Sequence, residues 1–210
     1  MQLIRYVLIT ATLSLLAGRL PAGERPYEMV WANRTQDDHP ALVPFTDVTG
    51  WRVEATDAAA RFERSQEVLL FGDAVAKLTY RATGKSPCVT LYPPEPVAIT
   101  KAFDAVTCWI YGNNHSYASD PKTPPVNIAL TFEDSAGKPF SISLDTIHFK
   151  EWFLCHRRLD ATLLPRVANG GKLLSISVTH GRNTEERAIY LNSLAVFTET
   201  LSPLTFIPLD

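Results

Sequence analysis

Hydrophobic and polar residues alternate with a period of two along most of the chain after residue 50. The clearest run covers residues 126–133, where the apolar positions are Val126, Ile128, Leu130 and Phe132. Every second side chain of a β-strand points to the same face of the sheet. The pattern therefore predicts a strand with one buried face and one face of mixed polar character.

A second alternating run, residues 140–145, follows a short polar stretch from Asp134 to Lys138. Gly137 in that stretch supplies the positive φ that tight turns need, so the two runs predict a β-hairpin. Further strands are predicted over residues 51–56, 60–64, 75–82, 89–92, 97–102, 105–111, 152–159, 174–179, 189–192 and 194–198. Many short strands punctuated by Gly, Pro, Asn and Asp, with weak helical periodicity, predict an all-β antiparallel sandwich or barrel.

The two ends of the chain differ from its middle. Arg5 followed by an apolar run from Tyr6 to Ala17, and then by small residues, predicts a signal peptide over residues 1–22. We expect an N-terminal extension over residues 23–44, the β-sandwich domain over 45–200 and an apolar tail over 201–210. The signal peptide predicts a secreted or periplasmic protein that has no membrane association after the signal is removed.

Composition narrows the possible partners. The chain is 46% hydrophobic, which excludes a disordered protein, and its net charge is −2. Nucleic acid requires a basic surface, so it is not expected as a partner. The three cysteines, Cys88, Cys108 and Cys155, lie in apolar runs, and their odd count argues against a disulfide framework. They are interpreted as small buried hydrophobes, with a Cys108–Cys155 disulfide left open.

The candidate ligand site begins at the strand over residues 105–111. Trp109 and Tyr111 share one face of this strand, opposite an aliphatic face, and a long loop follows at Gly112. The loop contributes neutral hydrogen-bonding side chains, namely Asn113, Asn114, His115 and Tyr117. Aromatic rings beside uncharged polar groups suit a sugar ring, and loops on a rigid sheet commonly carry binding sites. The alternative is that the rings fill a core and the asparagines only shape a turn.

A second candidate set lies on the strand over residues 152–159. Trp152, His156 and Arg158 share one face of it. Trp152 is a further stacking candidate, and His156 and Arg158 are able to bind the carboxylate or sulfate of an acidic sugar. The alternative is a core tryptophan with solvated charges at the strand end.

Catalytic and metal-binding signals are weak. The five histidines have no metal-ligand spacing, and no nucleophile or phosphate-binding motif is present. A glycosidase needs two carboxylates a few ångström apart across a cleft, which a sequence alone does not place. The carboxylates considered for such a pair are Glu54, Glu63, Glu67, Glu133, Asp134 and Asp145. No catalytic residue and no metal ligand is predicted.

The order of four segments resembles the jelly-roll carbohydrate-binding modules of secreted polysaccharide-degrading proteins, the galactose-binding-like group. These segments are residues 50–54, which open with Gly-Trp, and residues 64–80, 103–111 and 188–197. The resemblance implies a jelly-roll sandwich over residues 45–200 that binds glycans. Many such modules carry a calcium-binding Asp in the closing strand, but Asn192 stands in that place here and brings no charge. An amide oxygen is able to ligate calcium, so a structural calcium ion is left open without support from the sequence, and no other cofactor is expected.

The sequence thus favours a secreted carbohydrate-binding domain for a polysaccharide or oligosaccharide. It would act alone or as an accessory module to a fused or docked polysaccharide-degrading enzyme. Two alternatives stay open. One is a polysaccharide lyase or glycoside hydrolase on the same fold, although the characteristic motifs of jelly-roll alginate lyases are missing. The other is a non-catalytic interaction domain that uses the apolar tail.

Overall fold

A computed structural model of the protein describes residues 40–115 and 118–199. Within these ranges the chain forms eleven strands and one short helix. The strands are β1 (Arg52–Thr56), β2 (Ala58–Ser65), β3 (Val75–Ala82), β4 (Cys88–Tyr92), β5 (Val97–Ile99), β6 (Ala105–Tyr111), β7 (Val126–Asp134), β8 (Pro139–Ile147), β9 (Trp152–Arg158), β10 (Gly171–Thr179) and β11 (Arg187–Phe197), and the helix is α1 (Leu164–Val167). The predicted signal peptide, most of the predicted extension, Tyr117 and the tail over 201–210 lie outside the described residues.

The strands form two antiparallel sheets. One sheet has the order β1-β4-β10-β7-β8, with β5 also pairing with β10, and the other has the order β2-β3-β11-β6-β9. Apolar side chains from both sheets meet in one core cluster, to which β7 contributes Val126, Ile128, Leu130 and Phe132. The predicted all-β antiparallel jelly-roll sandwich is confirmed. Burying a large apolar side chain of this kind stabilises the fold by about 1.5–3 kcal/mol.

The predicted hairpin joins β7 to β8. Gly137 has a φ of +76°, and the Asp134 amide donates to the Lys138 carbonyl oxygen at 3.1 Å. The Asp134 carboxylate accepts from the amides of Lys138 at 2.8 Å and Ala136 at 3.0 Å. The Lys138 amide is the largest cause of the lowered Asp134 pKa, and Arg166 also contributes. A charged carboxylate therefore stabilises this turn.

The last strand differs from its prediction. The runs over residues 189–192 and 194–198 were expected to be separate strands, but they belong to the single strand β11. The register against β6 shifts between Asn192 and Ala195, where Ser193 has a φ of +46°. Leu194 also pairs with Val43, whose side chain belongs to the core. The packed unit therefore includes residues just before position 45.

Side chains bond to the outer edge of β8. Arg157 Nε donates to the Ser143 carbonyl oxygen at 2.9 Å. Arg166 Nη2 donates to the carbonyl oxygens of Lys138 at 2.9 Å and Pro139 at 3.3 Å. Because β8 ends the order of its sheet, Ser143 and Pro139 belong to a strand with no neighbour on one side. Lys138 precedes β8, and its carbonyl oxygen also accepts from the Asp134 amide.

The three cysteines are free thiols. Cys108 on β6 lies opposite Cys155 on β9, and both are buried. Burial raises the pKa of both thiols well above the usual range, and the charge of Asp145 raises that of Cys155 further. The two thiols therefore stay protonated and pack as small hydrophobes. Separately, the described ranges contain no helix that is long and apolar enough to span a membrane.

Candidate functional site

The candidate site lies on the outer face of the five-stranded sheet. On β6, Val106, Cys108 and Ile110 belong to the core between the sheets. Trp109 and Tyr111 alternate with them and therefore point to the opposite, outer face. The alternation read from the sequence assigned both rings to the correct face.

Three rings form a row across this face, which we call the aromatic row. Trp152 on β9 is in register with Tyr111 on β6, and Tyr111 is in register with Tyr190 on β11. The ring centres of Tyr111 and Trp152 are 5.8 Å apart, and those of Tyr111 and Tyr190 are 5.9 Å apart, both edge to face. The row continues to Lys77 on β3, whose Nζ lies 5.8 Å from the centre of the Tyr190 ring.

The row is most accessible on the side of β9. Trp152 and Tyr111 are half-buried, whereas Tyr190 is 8% exposed. Trp152 Nε1 is buried and donates no hydrogen bond to any residue that the structure describes. A buried donor without an acceptor costs about 1–3 kcal/mol. An oxygen acceptor that reached this end of the row would therefore be stabilised.

Trp109 does not belong to the accessible surface. Its side chain is 3% exposed, and the Phe71 ring packs edge to face against it with the ring centres 6.0 Å apart. Phe71 belongs to the loop that joins β2 to β3, residues 66–74, which we call the β2–β3 loop. The prediction that Trp109 is an exposed stacking platform is therefore wrong. Alternation fixes the face of a side chain, but it does not reveal which distant loop covers that face.

The β2–β3 loop also reaches the end of the aromatic row. The Tyr190 hydroxyl donates to Glu67 Oε2 at 2.6 Å. Lys77 Nζ donates to both carboxylate oxygens of Glu67 at 2.7 Å. Lys77 first, and then Tyr190, hold the pKa of Glu67 below its usual value of 4.5. Burial, together with the Glu67 carboxylate, raises the pKa of Tyr190. At neutral pH this end of the row therefore combines an anion, a cation and a neutral phenol.

The β6–β7 loop, residues 112–125, follows Tyr111, and contacts within the loop brace its described residues, 112–115 and 118–125. The Asn114 side chain is buried, and its Nδ2 donates to the Thr123 carbonyl oxygen. Its Oδ1 accepts from the amides of His115 at 2.9 Å and Asp120 at 3.0 Å. The loop itself thus uses both amide atoms of Asn114, and the role of this residue in binding a ligand stays a prediction. The alternative interpretation, that this residue shapes the turn, is correct for Asn114.

The other predicted loop residues have different positions. Asn113 Nδ2 donates to the Tyr80 hydroxyl at 2.8 Å, so this side chain faces the end of the core. His115 is half-buried beside Asn114. Tyr117 was predicted as a hydrogen-bonding residue and lies outside the described residues. Of the predicted loop set, the structure thus ties the two asparagines to the protein itself.

An ion-pair cluster fastens the β6–β7 loop to the start of β11. Arg187 Nε donates to Thr123 Oγ1 at 2.6 Å. Arg187 Nη2 lies 3.0 Å from Glu185 Oε2 and 3.6 Å from Asp120 Oδ2. The Lys122 amide and then the Thr123 hydroxyl lower the pKa of Asp120, which stays charged. Residues 120–123 of the loop are therefore held to the start of β11 by contacts within the protein itself.

His156 and Arg158 share the outer face with Trp152 but already face carboxylates of the chain. His156 Nε2 lies 3.3 Å from Glu199 Oε1, and Arg158 Nη2 lies 3.6 Å from Asp104 Oδ2. Each therefore already has a carboxylate of the chain beside it, and their role as a receptor for an acidic sugar stays a prediction. A separate cavity of about 230 Å³ is lined by Arg157, Arg158, Ser141 and Ser143 and by none of the aromatic row.

The calcium site of the resembled family does not fit this chain. Asn192 Nδ2 donates to the Phe71 carbonyl oxygen at 3.1 Å, and its Oδ1 accepts from the Ser193 hydroxyl at 2.8 Å. Both amide atoms are thus used, and the site lacks the charge that calcium binding requires. Across residues 40–115 and 118–199, no group of three His, Cys, Asp or Glu side chains is placed to hold a metal ion.

Sequence reasoning missed the residues that complete the row. Tyr190 alternates with Ile189 and Leu191, as Tyr111 alternates with Ile110, so its outward direction was readable. Its position beside Tyr111 depends on the pairing of β11 with β6, which are far apart in the chain. No local pattern marks Glu67 or Phe71 as residues that fold back over the sheet.

No protein-family model matches the chain, and no curated protein matches it. Several solved structures similar to it are carbohydrate-binding modules. One comes from a study of promiscuous specificity in modules of the β-sandwich superfamily, with 12% identity, a TM-score of 0.48, and coverage of 72% of this chain and 58% of that one. The chain thus spans less than two thirds of that protein.

Two others are matched over most of their length. A family 11 module from Clostridium thermocellum, in complex with a β-1,3-1,4-mixed-linked tetrasaccharide, has 10% identity, a TM-score of 0.46, and coverage of 76% of this chain and 95% of that one. TmCBM27, described for specific mannan recognition, has 15% identity, a TM-score of 0.48, and coverage of 75% and 95%. The strand order and the aromatic row, rather than these similarities, carry the functional argument.

Proposed function

We propose that this β-sandwich is a carbohydrate-binding domain that holds a neutral glycan against the aromatic row. The observation that carries the proposal is the cross-strand alignment of two half-buried rings, Trp152 and Tyr111, on the outer face of one sheet. An aromatic face packs against the apolar face of a sugar ring, while neighbouring polar groups bond to its hydroxyls.

The charges around the row favour a neutral ligand. Lys77 is paired with Glu67 at the Tyr190 end, and Arg187 is paired with Asp120 and Glu185 at the β6–β7 loop. A ligand carboxylate or sulfate would therefore find no unpaired cation in these two clusters. Shallow sites of this kind bind modestly, and we expect a Kd on the order of 10 μM to 1 mM.

Binding fits the arrangement of carboxylates better than hydrolysis does. Of the six carboxylates considered as acid/base candidates, Glu54, Glu133, Asp134 and Asp145 lie on strands of the other sheet. Glu67 contacts the row, but Lys77 and Tyr190 hold it in its charged form. An exported domain of this kind would act alone or beside a polysaccharide-degrading enzyme.

The test is a calorimetric titration with a panel of neutral and acidic polysaccharides, comparing the wild-type protein with W152A and Y111A. Each variant is expected to lose about tenfold or more in affinity for a neutral glycan, which corresponds to about 1.4 kcal/mol. F153A is the matched control, because Phe153 adjoins Trp152 on β9 but points to the other face of the sheet. Its binding should be unchanged.

Circular dichroism establishes that each variant is folded. The proposal fails if no glycan binds the folded wild-type protein. It also fails if W152A and Y111A bind as tightly as F153A does.

A further inference from the structure

We propose that the site binds the end of a glycan chain and not its interior, because the β2–β3 loop closes the aromatic row at Tyr190. This inference rests on the proposed function and specifies which part of the glycan the row takes. It follows from the contacts between the loop and the sheet, from the length of row left accessible, and from the groups at the closed end.

The loop crosses the outer face through three contacts. Glu67 accepts from the Tyr190 hydroxyl at 2.6 Å, and the Phe71 carbonyl oxygen accepts from Asn192 Nδ2 at 3.1 Å. The Phe71 ring packs on Trp109. Tyr190, Asn192 and Trp109 are consequently among the buried residues, although all three belong to the outer face. The loop therefore blocks passage of a ligand over β11.

The base of the loop is held as well. Glu67 N donates to Ser65 Oγ at 3.2 Å, and Gln66 Nε2 donates to the Asp73 carbonyl oxygen at 3.0 Å. Arg64 Nη2 lies 3.2 Å from Asp73 Oδ2, which ties the start of the loop to its end. These bonds join the two ends of the β2–β3 loop. The loop therefore covers Tyr190 without help from a ligand.

The accessible part of the row is short and open at one end. It covers β6 and β9, and β9 is the last strand of its sheet. Neighbouring strands are about 4.8 Å apart, so the distance across the row from β11 to β9 is roughly 10 Å. A glycan that enters from the β9 edge thus has room for a short terminal segment before it meets the loop.

At the end of the aromatic row that the β2–β3 loop closes, Glu67 is able to bind the terminal sugar of a glycan chain. A terminal sugar carries a hydroxyl where an interior sugar carries a glycosidic bond, and that hydroxyl is able to donate a hydrogen bond. The Glu67 side chain is 58% exposed and stays ionised, so one of its lone pairs is able to accept that bond. An interior sugar cannot donate at that position, and its next unit would collide with the loop.

The experiment measures affinity against chain length for the neutral glycan that binds best. Oligosaccharides from disaccharide to hexasaccharide are titrated into the wild-type protein, E67Q and E63Q. Glu63 is the matched control, since it lies on the same face opposite Lys77 but makes no bond to Tyr190. Oligosaccharides blocked at the reducing end, and others blocked at the non-reducing end, identify which end is bound.

We expect the wild-type affinity to level off at the disaccharide or trisaccharide and to fall when one of the two ends is blocked. E67Q should weaken binding about tenfold, because it loses a charge-assisted bond, whereas E63Q should not. Acrylamide quenching of tryptophan fluorescence shows whether E67Q also frees the loop. If it does, Trp109 becomes accessible, and the affinity of E67Q should increase toward the hexasaccharide because the row is then open.

A wild-type affinity that rises steadily to the hexasaccharide and ignores both end blocks would overturn chain-end binding. If that binding still depended on Trp152, the proposed function would stand. Equal affinities of E67Q and E63Q, with the loop in place in both, would also overturn the inference. An absence of binding to every glycan would refute the proposed function and chain-end binding together.

Discussion

Replacing Trp109 and Trp152 in parallel separates a structural ring from a ligand-facing one. Both are tryptophans on the outer face of adjacent strands, two residues apart in register. Trp109 is 3% exposed and packs on Phe71, whereas Trp152 is half-buried and contacts Tyr111. The pair is therefore matched in residue type and sheet face but differs in burial.

Truncating a buried aromatic side chain to alanine costs about 3–5 kcal/mol, because the transfer free energy is lost and a cavity is left. We expect W109A to lose that much. Trp152 keeps part of its surface in water, and W152A also removes an indole N–H that lacks an acceptor. For W152A we expect a loss of about 1–2 kcal/mol. A domain of this size is stable by about 5–15 kcal/mol, so only W109A approaches the limit of foldability.

The measurement is urea unfolding at 25 °C followed by far-ultraviolet circular dichroism, which does not depend on the replaced fluorophore. Equal m-values in the wild-type and variant proteins are required for a comparison of unfolding free energies. If W109A costs less than about 1 kcal/mol, or less than W152A, the β2–β3 loop does not cover Trp109. The assignment of Trp109 to the packed part of the molecule would then be wrong.

Three further predictions concern the scaffold. A Cβ at Gly112 would lie 2.1 Å from the Phe149 carbonyl oxygen, so G112A should lower the unfolding free energy by about 1–3 kcal/mol in urea, and an unchanged midpoint would contradict this packing. Burial raises the pKa of Tyr80 to about 12. The unfolded state therefore loses the Tyr80 hydroxyl proton at a lower pH than the folded state does. Tyr80 alone should lower the free energy of unfolding by about 2 kcal/mol between pH 10 and pH 12, so Y80F should show a smaller fall than the wild-type protein, and equal falls in the two proteins would refute this. The lowered pKa of Asp134 means that its contribution is present above pH 3.8 and is lost as the pH falls through the lowered value. The melting temperature should therefore fall more steeply from pH 5 to pH 2 for the wild-type protein than for D134N. Equal falls in the two proteins would exclude a stabilising role of the Asp134 carboxylate.

The sequence was most informative where one face of a strand is buried and its partner is close in the chain. The β7–β8 hairpin fits this description: Phe132 pairs with Phe140 across a turn whose glycine has the expected positive φ. The apolar alternation and the turn residues are both local signals, so the hairpin was predictable. The split expected in β11 followed from a real irregularity at Ser193, which disturbs the register without ending the strand.

The site was only partly predictable because its parts meet through long-range pairing. Alternation placed Tyr111 on the outer face of β6, and the structure brings its ring beside that of Trp152, which the sequence offered either as a stacking residue or as a core tryptophan. Their alignment with Tyr190 depends on strand order, and the burial of Trp109 depends on a loop that starts after β2. Asn114 is a neutral polar residue in a loop, as many ligand-binding residues are, but its amide group makes hydrogen bonds within the β6–β7 loop. Only the three-dimensional contacts reveal this use.

The bonds from Arg157 and Arg166 to the edge of β8 have a consequence for how the protein behaves at high concentration. An edge strand with free carbonyl groups is a template on which another chain can add a strand, which leads to aggregation. Here two guanidinium groups occupy the carbonyl oxygens of Ser143 and Pro139 on β8, and Pro139 has no N–H to offer. Addition of a strand to β8 is therefore disfavoured at these two positions. Removing either arginine should promote self-association even where the unfolding free energy hardly changes.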